Sequence, residues 1–319
     1  MFAARFAGLL FCREVRIDYL CGEYECNMEK KATTIEKQIE LLRGRGVIIS
    51  DKEKAKEILM DIGFYRLGFY AFPFEKTFPE LKNRTHEYRP GTSFADIVDL
   101  YYFDYDLRRI LMYYLNRIEV NVRTYITYTV SNYYKESPTW FVDTNIMNRK
   151  YAEEFETKVY GTIRENPVIK RHHHKYINDR FAPAWKTVEF MTLGNVCSLF
   201  NNLKDRQLKA DIASYYKCGL GVFINYLETI RVIRNTCAHG GCIYNLSLAK
   251  AIKGSRQVPV SDANRHNIKG VIDVIRYIVG IVSENRQEDL DRDIVGLLRA
   301  KRSPKTNEII EKCTGFAVK

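Results

Sequence analysis

The 319-residue chain has little proline, eight residues in all, and eighteen glycines. With so few breakers, long helices can run uninterrupted. No stretch approaches the ~20 apolar residues of a membrane-spanning helix, so no membrane partner is expected. No C-x-x-C spacing recurs among Cys12, Cys21, Cys26, Cys197, Cys218, Cys237, Cys242 and Cys313. In a chain this long, scattered cysteines are not a disulfide framework, and they fit a reducing cytoplasm. There is no repeat of 20–50 residues and no alternating pattern that would build a sheet. Acidic residues are in deficit, 39 against 50 Lys and Arg, which leaves a formal net charge of +11.

Apolar residues make up 46% and charged residues 28%, which excludes disordered and collagen-like chains. The length suits two modest domains or one large one. The basic balance points to a polyanion, either nucleic acid or an anionic surface.

The opening MFAARFAGLLFC resembles a weak signal peptide but lacks a small-residue cleavage site. Residues 1–28 are read as an extension outside the fold, the product of an upstream start codon. Residues 29–91 then form an N-terminal helical region. Residues 92–319 form the main bundle.

The helical signals are local. Thr33 to Glu36 reads as a capping box, with Ile35, Ile39 and Leu42 behind it. Ser50 and Glu53 read as a second box, ahead of a helix ended by Gly63. Between Thr92 and Ser137 there is neither glycine nor proline. Leu107, Leu111, Tyr114, Ile118, Val122, Tyr125 and Thr129 form one face over about six turns. Pro138, Gly161, Pro167 and Pro183 punctuate the middle of the chain. Further helices are predicted over 184–202, 205–217 and 222–239, and two or three more from about Lys269. The fold class is all-α, with bundle-like packing.

The segment 222–239 carries the chemistry. Tyr226, Ile230, Ile233 and Cys237 make an apolar stripe. Arg231, Asn235 and His239 share a neighbouring face, and Arg234 lies between the rows. Gly240 and Gly241 mark a helix C-terminus, which favours positive charge nearby. Histidine moves protons near neutral pH, arginine holds phosphate, and asparagine orients either. That set suits phosphodiester chemistry on RNA. No metal is needed when the substrate's own 2′-hydroxyl attacks. From spacing alone, a capping histidine with solvated arginines fits as well.

RNTCAH, from Arg234 to His239, resembles the R-x4-6-H motif of the HEPN superfamily. The surrounding chain resembles the Abi-like (AbiD/AbiF) abortive-infection proteins, over about 31–316. The likeness takes in the opening TTIEKQIELL, an F-D-x-x-L-R and I-E-x-x-x-R segment over 100–123, and PAWKTVEFMTLG over 183–194. It continues through IRVIRNTCAHGGCIYN to a late TGF at 314–316. The family often has a basic residue after the histidine, where this chain has Gly240-Gly241-Cys242. The resemblance implies a HEPN-type helical bundle with an N-terminal helical extension, a role in anti-phage defence and, in catalytic members, metal-independent RNA cleavage. It implies Arg234, Asn235 and His239 as catalytic residues and no cofactor. HEPN sites are usually paired across a dimer. This chain has a single R-x4-H, so a homodimer is expected, with RNA as partner. A non-coding RNA or an antitoxin is a further candidate partner. A catalytically silent RNA-binding module and a helical interaction protein are the competing readings.

Other residues are weighed beside these. Arg231, Glu189, Glu119 and Arg123 are candidates to support the site. For Glu189, an ion pair at the core edge is the commoner role. For Glu119 and Arg123, a helix-stabilising i, i+4 pair is the plainer one. The run His172-His173-His174 does not converge on a metal in any regular element. With Lys170, Arg171 and Lys175 it reads as a basic surface loop able to touch phosphates. Phe64-Tyr65, Phe69-Tyr70 and Tyr101-Tyr102-Phe103 are read mainly as core. Arg66, Arg108 and Arg109 beside them are candidate RNA contacts.

Overall fold

The computed structural model describes residues 32–318. The predicted extension 1–28 lies outside the described residues. Helices carry the fold, and the only β pairing among the described residues is three isolated bridges. None of these helices is long and apolar enough to cross a membrane.

The first three helices form a small antechamber. α1 (Ile35–Gly44) is capped by Thr34, which accepts from the Lys37 amide, and buries Ile39 and Leu42. α2 (Lys52–Ile62) starts one residue later than the predicted box, because Asp51 and not Ser50 accepts from the Lys54 amide. Gly63, at φ +88°, turns the chain directly into α3 (Phe64–Ala71). No other residue type adopts that conformation cheaply.

The spine is α4 (Phe94–Tyr133), 40 residues and roughly 60 Å long. Ser93 and Asp96 close a reciprocal capping box at its start. Leu107, Leu111, Tyr114, Ile118 and Val122 are buried as the spacing predicts. The stripe then drifts by one position, so that Ile126 and Val130 replace Tyr125 and Thr129 in the core. A 3.6-residue turn slides off any fixed three-four register over this length.

Between α4 and the end of the chain lie α5 (Arg149–Phe155), α6 (Gly161–Arg164), α7 (Pro167–Lys175), α8 (Ala184–Thr187), α9 (Leu193–Asn202), α10 (Arg206–Tyr215), α11 (Leu220–Ala238), α12 (Ile268–Val282), α13 (Glu284–Arg299) and α14 (Pro304–Thr314). α3 and α8 to α14 all pack on α4. The cores of the N-terminal helices and of the bundle form one continuous cluster.

Three local expectations are corrected. The helix predicted over 184–202 is broken at Met191, which is extended. Thr192 caps a new helix by accepting from the Asn195 amide, and the Met191 carbonyl is taken by Arg123 of α4. The basic run at 170–175 is not a loop but the body of α7. Asn166 caps it and Pro167 fills its first turn. Helix α11 begins at Leu220, with Gly221 inside it.

One buried polar group ties these parts together. Asp104 of α4 is fully buried. Its Oδ1 accepts from the amides of Ile243 (2.9 Å) and Tyr244 (2.6 Å). Its Oδ2 accepts from the Tyr70 hydroxyl (2.8 Å) and from Arg108. Burial raises the Asp104 pKa, while Arg108, Tyr70 and the two amides oppose the rise. Because every partner is a donor, the group they hold is the carboxylate. Removing it leaves Arg108 buried and unpaired. Asp104→Ala is therefore expected to cost about 3–5 kcal/mol of stability, read by urea unfolding. A loss under about 1 kcal/mol would show that the network does not hold the fold.

Candidate functional site at the end of helix α11

Helix α11 presents its apolar stripe to the core, with Tyr226, Ile230, Ile233 and Cys237 all buried. Its last turn ends in a Schellman motif. His239 is the C-cap, and Gly240 follows in the left-handed region at φ +67°. The Gly240 amide donates to Cys237 O at 3.1 Å and the Gly241 amide to Thr236 O at 2.8 Å. A Cβ on Gly241 would meet the Thr236 methyl at 2.8 Å. The turn therefore needs both glycines. It leaves the His239 side chain exposed, with no hydrogen-bond partner among the described residues. Asn235 stands one turn earlier, and its carbonyl accepts the His239 amide at 3.0 Å.

Arg234 is held from the side. Its Nε donates to Glu119 Oε2 at 3.0 Å, across from α4. Glu119 is nearly buried, and its other oxygen accepts from Arg123 at 2.9 Å. Arg123 donates in turn to the Met191 carbonyl at 2.9 Å. Glu119 thus pairs along its own helix, as predicted, but also fixes Arg234 by its inner nitrogen. The outer nitrogens remain at the surface, one of them 3.5 Å from Asn235 Oδ1. Arg231 forms a two-pronged pair with Glu228 and lies against Gly194 at the start of α9.

The turn after His239 is fixed by two arginines. Arg66 of α3 donates to the Gly240 carbonyl at 2.8 Å. Arg108 donates to the Gly241 carbonyl at 3.1 Å and to Tyr70 at 3.0 Å. Arg66 thus stands beside the motif. Arg108, predicted as an RNA contact, is buried and its guanidinium is engaged inside the protein. Asp104, the aspartate of the F-D-x-x-L-R segment but given no role in the sequence reading, is its ion-pair partner. The signal available was its i, i+4 spacing to Arg108.

The remaining candidates are not gathered here. Glu189 is exposed and makes no ion pair among the described residues, contrary to the expected pair with arginine. Arg109 is exposed, 3.4 Å from Asp106. Lys170 pairs with Glu165 at 2.7 Å, Arg171 is exposed, and Lys175 lies over the Tyr176 ring. The three histidines of α7 part company. His172 is buried near Asp179, His173 bonds Tyr160, and His174 is exposed. Burial lowers the His172 pKa, helped by Lys186. Near the motif, burial pushes the Cys237 thiol up to about 12 and the Cys242 thiol up to about 11. Neither offers a thiolate nucleophile near neutral pH.

Sequence-distant segments thus meet along the C-terminal half of α11 and the chain just after it: 104–108, 119–123 and 191–194 around 231–244. A family model described as Abi-like protein matches residues 57–245, more than half of the chain and all of these segments. The chain belongs to the Abi-like protein family. No curated protein and no solved structure matches it.

Proposed function

We propose that this protein is an anti-phage abortive-infection endoribonuclease of HEPN type, acting on RNA in the cytoplasm without a metal. The observation that carries the reading is the pairing of an exposed His239, with no hydrogen-bond partner among the described residues, with an Arg234 whose guanidinium is fixed from behind by Glu119. A restrained cation costs no reorganisation when charge develops in the transition state. A free imidazole at a helix end is able to take or give a proton. Thiol chemistry is disfavoured by the raised pKa values of Cys237 and Cys242, the thiols near the motif.

In the proposed mechanism the substrate's 2′-oxygen attacks its adjacent phosphorus and the 5′-oxygen leaves. His239 takes the proton from the 2′-hydroxyl or returns one to the leaving oxygen, and its counterpart in a second copy takes the other role. Arg234 stabilises the charged phosphorane. Asn235 positions the imidazole or a phosphate oxygen. Arg66, brought to the Gly240 carbonyl, supplies positive charge at the turn where the family often has a basic residue next in sequence.

Incubated with RNA in EDTA, the protein is expected to give 2′,3′-cyclic phosphate and 5′-hydroxyl ends. DNA stays intact, because it has no 2′-hydroxyl. Removing a transition-state donor costs on the order of 10²–10³ in rate. Arg234→Ala and His239→Ala should each lose cleavage while keeping the helical circular dichroism spectrum. A requirement for Mg²⁺, or full activity in His239→Ala, would reject the mechanism. RNA binding with no cleavage by the wild type would favour a silent binding module.

Because each chain supplies one motif, the active form is expected to be a homodimer with the α11 ends near the two-fold axis. Sedimentation with RNA present should give complexes that contain two protein chains. A strictly monomeric species that still cleaves would contradict this.

A further inference from the structure

We propose that the outer face of α4 beside the α11 turn is a stacking ledge for unpaired RNA bases, which restricts the protein to single-stranded RNA. The inference rests on RNA being the ligand at the α11 end.

Tyr102 and Tyr105 are 44% and 48% exposed. Tyr101 backs both. Its ring meets Tyr102 edge-on at 5.2 Å and lies nearly parallel to Tyr105, with centroids 6.3 Å apart. Tyr101 is itself seated edge-on against the buried Tyr70 at 5.2 Å. The ledge is therefore built outward from the core, which holds its rings in place without covering their outer faces. Phe103 and Tyr70, in the same aromatic clusters, are fully in the core. The exposed rings are thus not needed to fill it.

The ledge is joined to the motif by its own arginines. The Arg108 guanidinium lies 6.0 Å from the Tyr105 ring centre and donates to the Gly241 carbonyl. Arg66 bonds the Gly240 carbonyl, and both arginines act on the Tyr101 hydroxyl, opposing the rise that burial imposes. The rings are thereby tied to the turn that follows His239, and a base next to a phosphate held at Arg234 and His239 is the one proposed to stack on them. Stacking is sequence-tolerant because every base has a π-face, but a paired base has no free face to offer. A second copy of the chain fits the ledge less well. Half-buried Asp106 and exposed Arg109 lie on the same stretch of α4 and interrupt any apolar patch.

The test uses full-length His239→Ala protein, so that binding is read without cleavage. The probes are a short fluorescein-labelled single-stranded oligoribonucleotide, the same strand in a duplex, and the same strand with abasic sites. Base–aromatic stacking is worth about 1–3 kcal/mol per base. The single strand is expected to bind about five- to a hundredfold more tightly than the abasic strand, and more tightly than the duplex. The double variant Tyr102→Ala/Tyr105→Ala should erase that preference, and Tyr102→Phe/Tyr105→Phe should keep it. The slope of affinity against salt should not change in either, since no phosphate contact is lost. An unchanged preference in the alanine variant overturns the ledge, as does equal weakening toward abasic RNA. Loss of dimerisation in the alanine variant would mark the face as a subunit contact and also overturn it. Cleavage by the wild type without the preference defeats the ledge alone. The preference without cleavage by the wild type defeats the ribonuclease reading alone. No binding to any of the probes defeats both.

Discussion

A carboxylate stripped of water must find donors, and Asp104 takes them from α3, from its own helix and from the chain just beyond α11. That choice sets the geometry of the site. Binding two successive amides, of Ile243 and Tyr244, stops the chain from wandering after the Schellman turn. Holding Arg108 puts a donor on the Gly241 carbonyl, and holding Tyr70 draws α3 close enough for Arg66 to reach Gly240. Glu119, further along the same face of α4, catches Arg234. The long helix thus works as a template on which the end of α11 is laid, and its continuity explains why neither proline nor glycine interrupts it.

Much of this was legible in the sequence where local rules decide. Caps, glycine stops and apolar spacing located α1, α2, α4, α10 and α11 to within a few residues. The stripe of α11 was right at each of its four positions. The failures have physical causes. Met191 leaves the helix because a distant arginine claims its carbonyl, and no local signal records that. The helical stretch from Arg149 to Arg164 is not signalled, because Gly161 reads as a breaker but stays helical and opens α6 directly after the π-turn Glu156–Tyr160. Pro167 reads as punctuation but stands in the first turn of a helix capped by Asn166.

The site residues divide in the same way. Spacing places Arg234, Asn235 and His239 together at the end of one helix but fits a capping histidine with solvated arginines as well; the family likeness is what makes them candidates and adds the segments around them. Spacing alone did not show that Glu119 has two partners, since an i, i+4 neighbour accounts for it completely. Nor did it separate Arg66 from Arg108. Both are arginines beside aromatics, and only packing sends one to the surface turn and buries the other. The late Thr314-Gly315-Phe316 likewise has a structural reason. Gly315 is at φ +79°, and a Cβ there would meet Asn264 at 2.8 Å.

In the proposed mechanism Glu119 is a positioning residue that acts through Arg234, with no contact to substrate. Glu119→Gln keeps the size and one acceptor but removes the charge that holds the guanidinium, at roughly 1–3 kcal/mol for a charge-assisted bond. The decisive measurement is steady-state RNA cleavage by this variant beside the wild type, with melting temperature and RNA affinity followed in parallel. The prediction is a fall in kcat of about tenfold or more, with KM and affinity within about twofold. An unchanged kcat, or a loss explained wholly by weaker RNA binding or unfolding, would contradict the claim that Arg234 is preset for catalysis.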